Sequence, residues 1–246
     1  MQAVLLQDMR TRFGGSYYGY LIALAWPLAH MGFITLLYLA RVQVAPVGDS
    51  PAMFIVTGAI PYIICLYPAR LMARAISQNR QLLNIPVIKP IHLIVSRSVL
   101  ETLNAIVVMF LFILPIYLFD IDVVPQDLGV AQQAVFAALF LGIGLGVLNV
   151  VLCAIFGPYF LMFFNLSMIG MYALAGVYIP VWALPEVIRE YAYYNPLLNL
   201  VEWMRSAYYT SYDNEETNKA LVIWVGAISL TLGLLGERFL RGKFFT

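Results

Sequence analysis

The chain has 246 residues, 62% of them hydrophobic and 11% charged, and a mean hydropathy of +0.85. This balance excludes a water-soluble domain of such length. At about 20 apolar residues per membrane-crossing helix there is room for roughly six crossings and none for a separate soluble domain.

The first seventeen residues are amphipathic and carry Asp8, Arg10, Arg12 and Phe13, then turn through Gly14 and Gly15 into an apolar run from Tyr18 to Ala40. That is the pattern of a helix on the cytoplasmic membrane surface feeding a first crossing, here with Trp26 and Pro27 inside it. No small-residue cleavage site follows a positive region and apolar core, so the segment reads as a retained helix with a cytoplasmic N-terminus. A second crossing is expected over Met53 to Ala73. The connection from Arg74 to Ile94 is longer than adjacent helices require. It contains a short helix-forming stretch closed by a turn that Pro86 and Pro90 bracket, a feature that a partner on the cytoplasmic face would grip.

The third crossing, Val95 to Phe119, holds Glu101, the one acid within a predicted crossing. An intramembrane acid suggests proton coupling, but Arg97 stands four residues earlier near the cytoplasmic end, and a helical ion pair is the preferred reading. The fourth and fifth crossings, Ala134 to Gly157 and Phe160 to Tyr178, are separated only by Gly157, Pro158 and Tyr159, which suits a tight hairpin. The next connection, Ile179 to Asn218, is too apolar for a solvated loop. Two short amphipathic helices that dip into the outer membrane face without crossing, near Pro185 to Tyr193 and Pro196 to Tyr208, fit it better, with the prolines at their first turns. The sixth crossing runs from Leu221 to Leu235.

The net charge of +1 conceals an asymmetry. With both ends inside, ten of the fourteen Lys and Arg fall on the cytoplasmic side, while ten of the thirteen acids fall outside with Arg41, Arg189, Arg205 and Lys219. The positive-inside rule supports this topology.

A search for chemistry returns little. Gly236 to Lys243 superficially resembles a phosphate loop, but it has five residues between its glycines instead of four, and Phe244 replaces the magnesium-binding hydroxyl. Any ATP hydrolysis must therefore happen on another chain. Gly142, Gly144 and Gly146 sit inside an apolar crossing with no strand before them, and the four-residue spacing of the outer two points to close helix packing. Cys65 and Cys153 lie within crossings and read as small apolar residues; His30 and His92 are too scattered for a metal centre. No catalytic triad or carboxylate pair can be assembled, so an enzyme reading has no positive support. The aromatic residues of the outer connection read mainly as an interfacial belt, with Trp182 and Tyr194 as candidates to stack on sugar rings.

Three segments together carry a resemblance: RTRFGGSYYGYLIALAWPLAH near the start, NRQLLNIPVIKPIHLIVSRSVLETL in the cytoplasmic connection, and YNPLLNLVEWMRSAYY in the outer one. They resemble the ABC-2 type membrane permeases, specifically the polysaccharide-export subgroup, over nearly the whole chain. The opening RTRFG and the run VIKPIHLIVSRSVLETL look most like capsule polysaccharide exporters, with O-antigen and teichoic acid permeases as near neighbours. Ile22, where the family usually has an aromatic, and the short N-terminal lead depart from the pattern.

The resemblance implies a single all-α integral membrane domain with six transmembrane helices, an N-terminal interface helix and outer re-entrant helices. It implies a homodimer working with two copies of a separate ATPase subunit that holds ATP and magnesium, so no cofactor is expected on this chain. Within Gln81 to Lys89, residues Gln81, Leu82, Asn84, Ile85 and Lys89 resemble a coupling helix that docks into the ATPase. Asn195, Pro196, Glu202 and Arg205 resemble the outer helices that close the external end of the channel. Arg10 and Arg12 fall on the helix that frames the cytoplasmic gate, and with Trp182 and Tyr194 they are the candidate substrate path; Lys89 adds to the positive mouth. The cargo implied is a lipid-linked capsular polysaccharide crossing the bacterial inner membrane, handed to a periplasm-spanning co-polymerase and an outer-membrane channel, with no nucleic-acid partner. An O-antigen, teichoic acid or small-molecule cargo stays open, as does, in a different class, a membrane enzyme acting on lipid carriers.

Overall fold

Proline and short polar caps set the helix starts. Pro51, Pro90 and Pro196 occupy first-turn positions, and Ser50, Asp127, Asn195 and Asn218 accept from backbone N–H groups two or three residues on, at 2.9–3.4 Å. The computed structural model describes residues 2–13, 17–41, 44–210, 212 and 216–244, and among these it contains helices and no strand. The helices are α1 (Gln2–Phe13), α2 (Tyr17–Leu39), α3 (Pro51–Leu71), α4 (Ala75–Gln78), α5 (Pro90–Leu118), α6 (Leu128–Phe156), α7 (Tyr159–Ala173), α8 (Glu186–Ala192), α9 (Pro196–Tyr208) and α10 (Lys219–Phe239). The expected turn at Gly14 and Gly15 lies outside the described residues.

Among the described residues, five helical stretches are long and apolar enough to cross a membrane: Tyr18–Leu39, Pro51–Gln78, Pro90–Leu118, Leu128–Phe156 and Lys219–Phe239. The expected fifth crossing, Phe160 to Tyr178, departs from the sequence reading. Its helix has 15 residues and ends at Ala173, a rise of about 22 Å against the roughly 30 Å of a hydrocarbon core. The apolar run continues past that point, but the backbone turns at Gly176 (φ 73°). Hydropathy does not register such a break. The expected hairpin between α6 and α7 is formed, with Gly157 (φ 76°) closing α6.

α6 is the axis of the bundle, packed mainly against α3 on one side and α10 on the other. Two residues along a helix turn about 200°, so Gly142 and Gly146 face one neighbour and Gly144 the opposite one. A methyl group at Gly142 would stand 2.5 Å from the Cys65 carbonyl oxygen of α3, and one at Gly144 would stand 2.4 Å from the Gly226 carbonyl oxygen of α10. Small residues thus let three backbones meet, the means by which helices associate where lipid removes the hydrophobic drive. Asn149 adds an inter-helix bond, its Nδ2 donating to the Ala69 carbonyl at 2.9 Å.

Candidate functional site

The helices alternate in direction, so α1, the α4–α5 connection, the α6–α7 turn and the end of α10 share one end of the bundle. A buried polar cluster organises that end. Arg97 of α5, 1% exposed, donates from Nη2 to Asp8 Oδ1 of α1 at 2.7 Å and to Gln78 Oε1 of α4 at 2.7 Å. Its Nη1 lies 3.5 Å from Glu101 Oε1. Asn79 donates to Asp8 Oδ1 at 2.5 Å and to the Ala75 carbonyl at 3.1 Å. The expected Arg97–Glu101 pair is therefore present, and it is buried with Asp8 of α1 against it. Sequence spacing could find the partner four residues away. It could not find Asp8, 89 residues away.

This cluster ties three elements together: α1, the last turn before the α4–α5 connection, and α5. Asp8 is the only α1 residue joined to it by a charge-assisted bond among the described contacts, and such bonds contribute about 1.5–3 kcal/mol. Replacing Asp8 with alanine is accordingly expected to raise hydrogen exchange of the α1 amides by about 10-fold or more. Unchanged exchange across residues 2–13 would show that contacts other than those of Asp8 hold the helix.

The short helix-forming stretch expected in the connection is present. Arg80–Asn84 forms a five-residue 3-10 helix, and Ile85 is extended. Leu83 anchors the segment in a core with Met72, Ile76, Leu93 and Ile94, while Gln81, Asn84, Ile85, Val87 and Lys89 are exposed and Leu82 is half-buried. The Lys89 N–H donates to His92 Nδ1 at 3.2 Å, fixing the start of α5. A knob with an exposed apolar tip, Ile85 and Val87, thus stands on a firm base. Arg10 is exposed on α1, and the Arg12 side chain lies outside the described residues.

At the opposite end lie α8 and α9. Asn195 Nδ2 donates to the Met171 carbonyl at the end of α7 (2.7 Å), and the Asp127 N–H donates to the Ala207 carbonyl (3.0 Å). α9 therefore runs from the end of α7 to the start of α6. Asn199 ties α8 to α10: its Nδ2 donates to the Tyr193 carbonyl, and its Oδ1 accepts from the Asn218 N–H, both at 2.7 Å.

The residues expected at an outer gate all belong to α9 or cap it. Arg205 is fully buried and donates to the carbonyls of Gly176 (2.7 Å), Val177 (3.0 Å) and Phe54 (3.4 Å), with its guanidinium 3.8 Å above the Phe54 ring. Glu202 Oε1 lies 3.7 Å from Arg205 and accepts from the Tyr212 hydroxyl at 2.7 Å. Burial pushes the Glu202 carboxyl above its ordinary value, against the opposing pull of Arg205 and the Tyr212 hydroxyl. Pro196 is buried at the start of α9 and Asn195 half-buried as its cap. Trp182 packs against Tyr212 with ring centroids 5.7 Å apart, and Tyr194 is exposed. Arg10 and this aromatic pair stand at opposite ends of the bundle, so within one chain they form no common site. Among the described residues no group of three or more His, Cys, Asp or Glu could hold a metal ion.

No family model matches the chain. It is 28% identical to the polysialic acid transport protein KpsM of Escherichia coli over 239 residues, covering 95% of this chain and 90% of that protein. It is 24% identical to the capsule polysaccharide export inner-membrane protein CtrC of Neisseria meningitidis serogroup B over 245 residues, 98% of this chain and 91% of that protein. These homologues match nearly the full chain, in agreement with the resemblance carried by its three motifs.

Proposed function

We propose that the chain is the transmembrane permease subunit of an ATP-driven exporter that moves lipid-linked capsular polysaccharide across the bacterial inner membrane. The observation that carries this reading is the near-full-length similarity to two proteins named for polysialic acid transport and capsule polysaccharide export. Five long apolar helices support a path through a membrane. In this reading both termini are cytoplasmic, because the basic residues gather at the end that holds α1 and the end of α10. The chain performs no hydrolysis; ATP and magnesium sit on a separate ATPase, two copies serving a homodimer of this chain. A periplasm-spanning co-polymerase and an outer-membrane channel receive the glycan.

The tied cluster at the basic end gives a mechanical account. The knob at Gln81 to Lys89 docks on the ATPase, and displacement of its base at Gln78 and Asn79 reaches both α5 and α1 through Arg97 and Asp8. Arg10 on α1 and Lys89 at the knob offer positive charge to an anionic glycan. Helices α8 and α9 close the outer end as re-entrant helices, with Trp182 and Tyr194 giving the aromatic surfaces that the glycan meets there.

Cells lacking the chain are expected to accumulate capsular glycan in the cytoplasm; normal capsule at the surface would overturn the assignment. A cysteine placed at Ile85 is expected to crosslink to the ATPase subunit. Absence of a crosslink at every position from Gln81 to Lys89 would refute the docking.

A further inference from the structure

A cavity of about 460 Å³ lies at the basic end where α4, the end of α6, the start of α7 and the segment after α10 meet. Its lining sorts into two halves. Arg74, Arg80 and Lys243 supply cations, and Ile76, Val150, Ala154, Leu161 and Phe244 supply apolar wall. The adjoining surface of α6 and α7 is apolar and open, with Phe156, Tyr159, Met162 and Phe163 all more than 60% exposed.

We infer that this cavity binds the phosphate of an anionic lipid, with the headgroup on Arg74, Arg80 and Lys243 and an acyl chain along the exposed face of α7. Three features select that class. Guanidinium groups match phosphate oxygens through paired N–H donors, and an ammonium adds a point charge. The apolar wall gives a free inorganic anion nothing to bury against. An exposed apolar face on the helix that walls the cavity suits a hydrocarbon chain better than a soluble partner, whose interface would carry a polar rim. The inference does not depend on the proposed cargo, since membrane phospholipid and a phosphate-bearing glycolipid present the same group.

Native mass spectrometry of the purified chain with phosphatidylglycerol, phosphatidylcholine of the same acyl composition, or inorganic phosphate tests this. Each cation near a membrane surface is worth about 5-fold in affinity for an anionic lipid, so the cavity is expected to prefer phosphatidylglycerol by up to about 100-fold. The Arg74→Gln, Arg80→Gln, Lys243→Gln triple variant is expected to lose that preference while keeping wild-type elution and thermal midpoint. Should the triple variant misfold, the single variants Arg74→Gln and Lys243→Gln, at exposed positions, are each expected to lower it by about 5-fold. Equal retention of both lipids, or a preference that survives the substitutions, would overturn the inference. Inorganic phosphate that binds as tightly as the lipid would overturn the acyl half of it.

Discussion

Replacing Arg205 with methionine is expected to lower the thermal midpoint of the purified protein by on the order of 10 °C, the largest effect of any single side chain at the outer end. The guanidinium closes the backbone at Gly176, Val177 and Phe54, so its loss strips three carbonyls of a donor and leaves Glu202 in a buried site without its cation. Breaking a buried pair from one side costs about 3–5 kcal/mol, and each kcal/mol moves the midpoint by about 2–4 °C in a chain of this size. The double variant Arg205→Met, Glu202→Met is expected to recover part of the loss, because no orphaned charge remains. Arg238, exposed at the end of α10, serves as the control and is expected to tolerate methionine. A wild-type midpoint for Arg205→Met would sink the structural account, and loss of export at that midpoint would favour a gate role. The raised carboxyl of Glu202 adds a pH signature. Its native form binds the proton more readily than the unfolded one, so its stabilising contribution is full below about pH 4.5 and is lost as pH rises through the native value. Glu202→Gln is expected to flatten that part of the profile of thermal midpoint against pH.

Leucine in place of Gly144 is expected to separate α10 from α6 and abolish most of the folded yield. Even one methyl group there meets the Gly226 carbonyl at 2.4 Å, a backbone atom that no rotamer change can move aside. Overpacking by a few methylenes costs about 1–3 kcal/mol where side chains can shift; here two helix axes must part. Gly170 of α7 supplies the comparison, since nothing stands within 4 Å of a methyl group added there. Gly170→Leu is expected to keep the wild-type elution profile and thermal midpoint. Equal behaviour of the two variants would show that the α6–α10 contact is not limited by backbone approach.

The glycine pattern shows how far sequence reached. The spacing of Gly142 and Gly146 pointed to close packing, and these two do face α3 at backbone distance. That Gly144 meets a different helix follows from the same helical geometry, but which helix lies there is a tertiary fact. The short helices at Glu186–Ala192 and Pro196–Tyr208 were legible within a residue or two, because proline fixes a first turn and Asn195 caps the second. Arg205, named for a gate from its motif, is fully buried and donates to three backbone carbonyls. The signal that could have revealed this is its spacing from Glu202, three residues apart within an apolar helix.

The sequence by itself determined that the chain is a bundle of apolar helices with its positive charge gathered at one end, since hydropathy and charge act residue by residue. It also determined the caps and the hairpin turn, because proline, glycine and asparagine act on the neighbouring backbone. Tertiary structure alone decided that Asp8 closes onto Arg97, that Arg205 holds carbonyls from two distant segments, and that α7 stops at Ala173. Each of these depends on groups brought together from far along the chain, where a buried charge takes whichever partners the packing supplies.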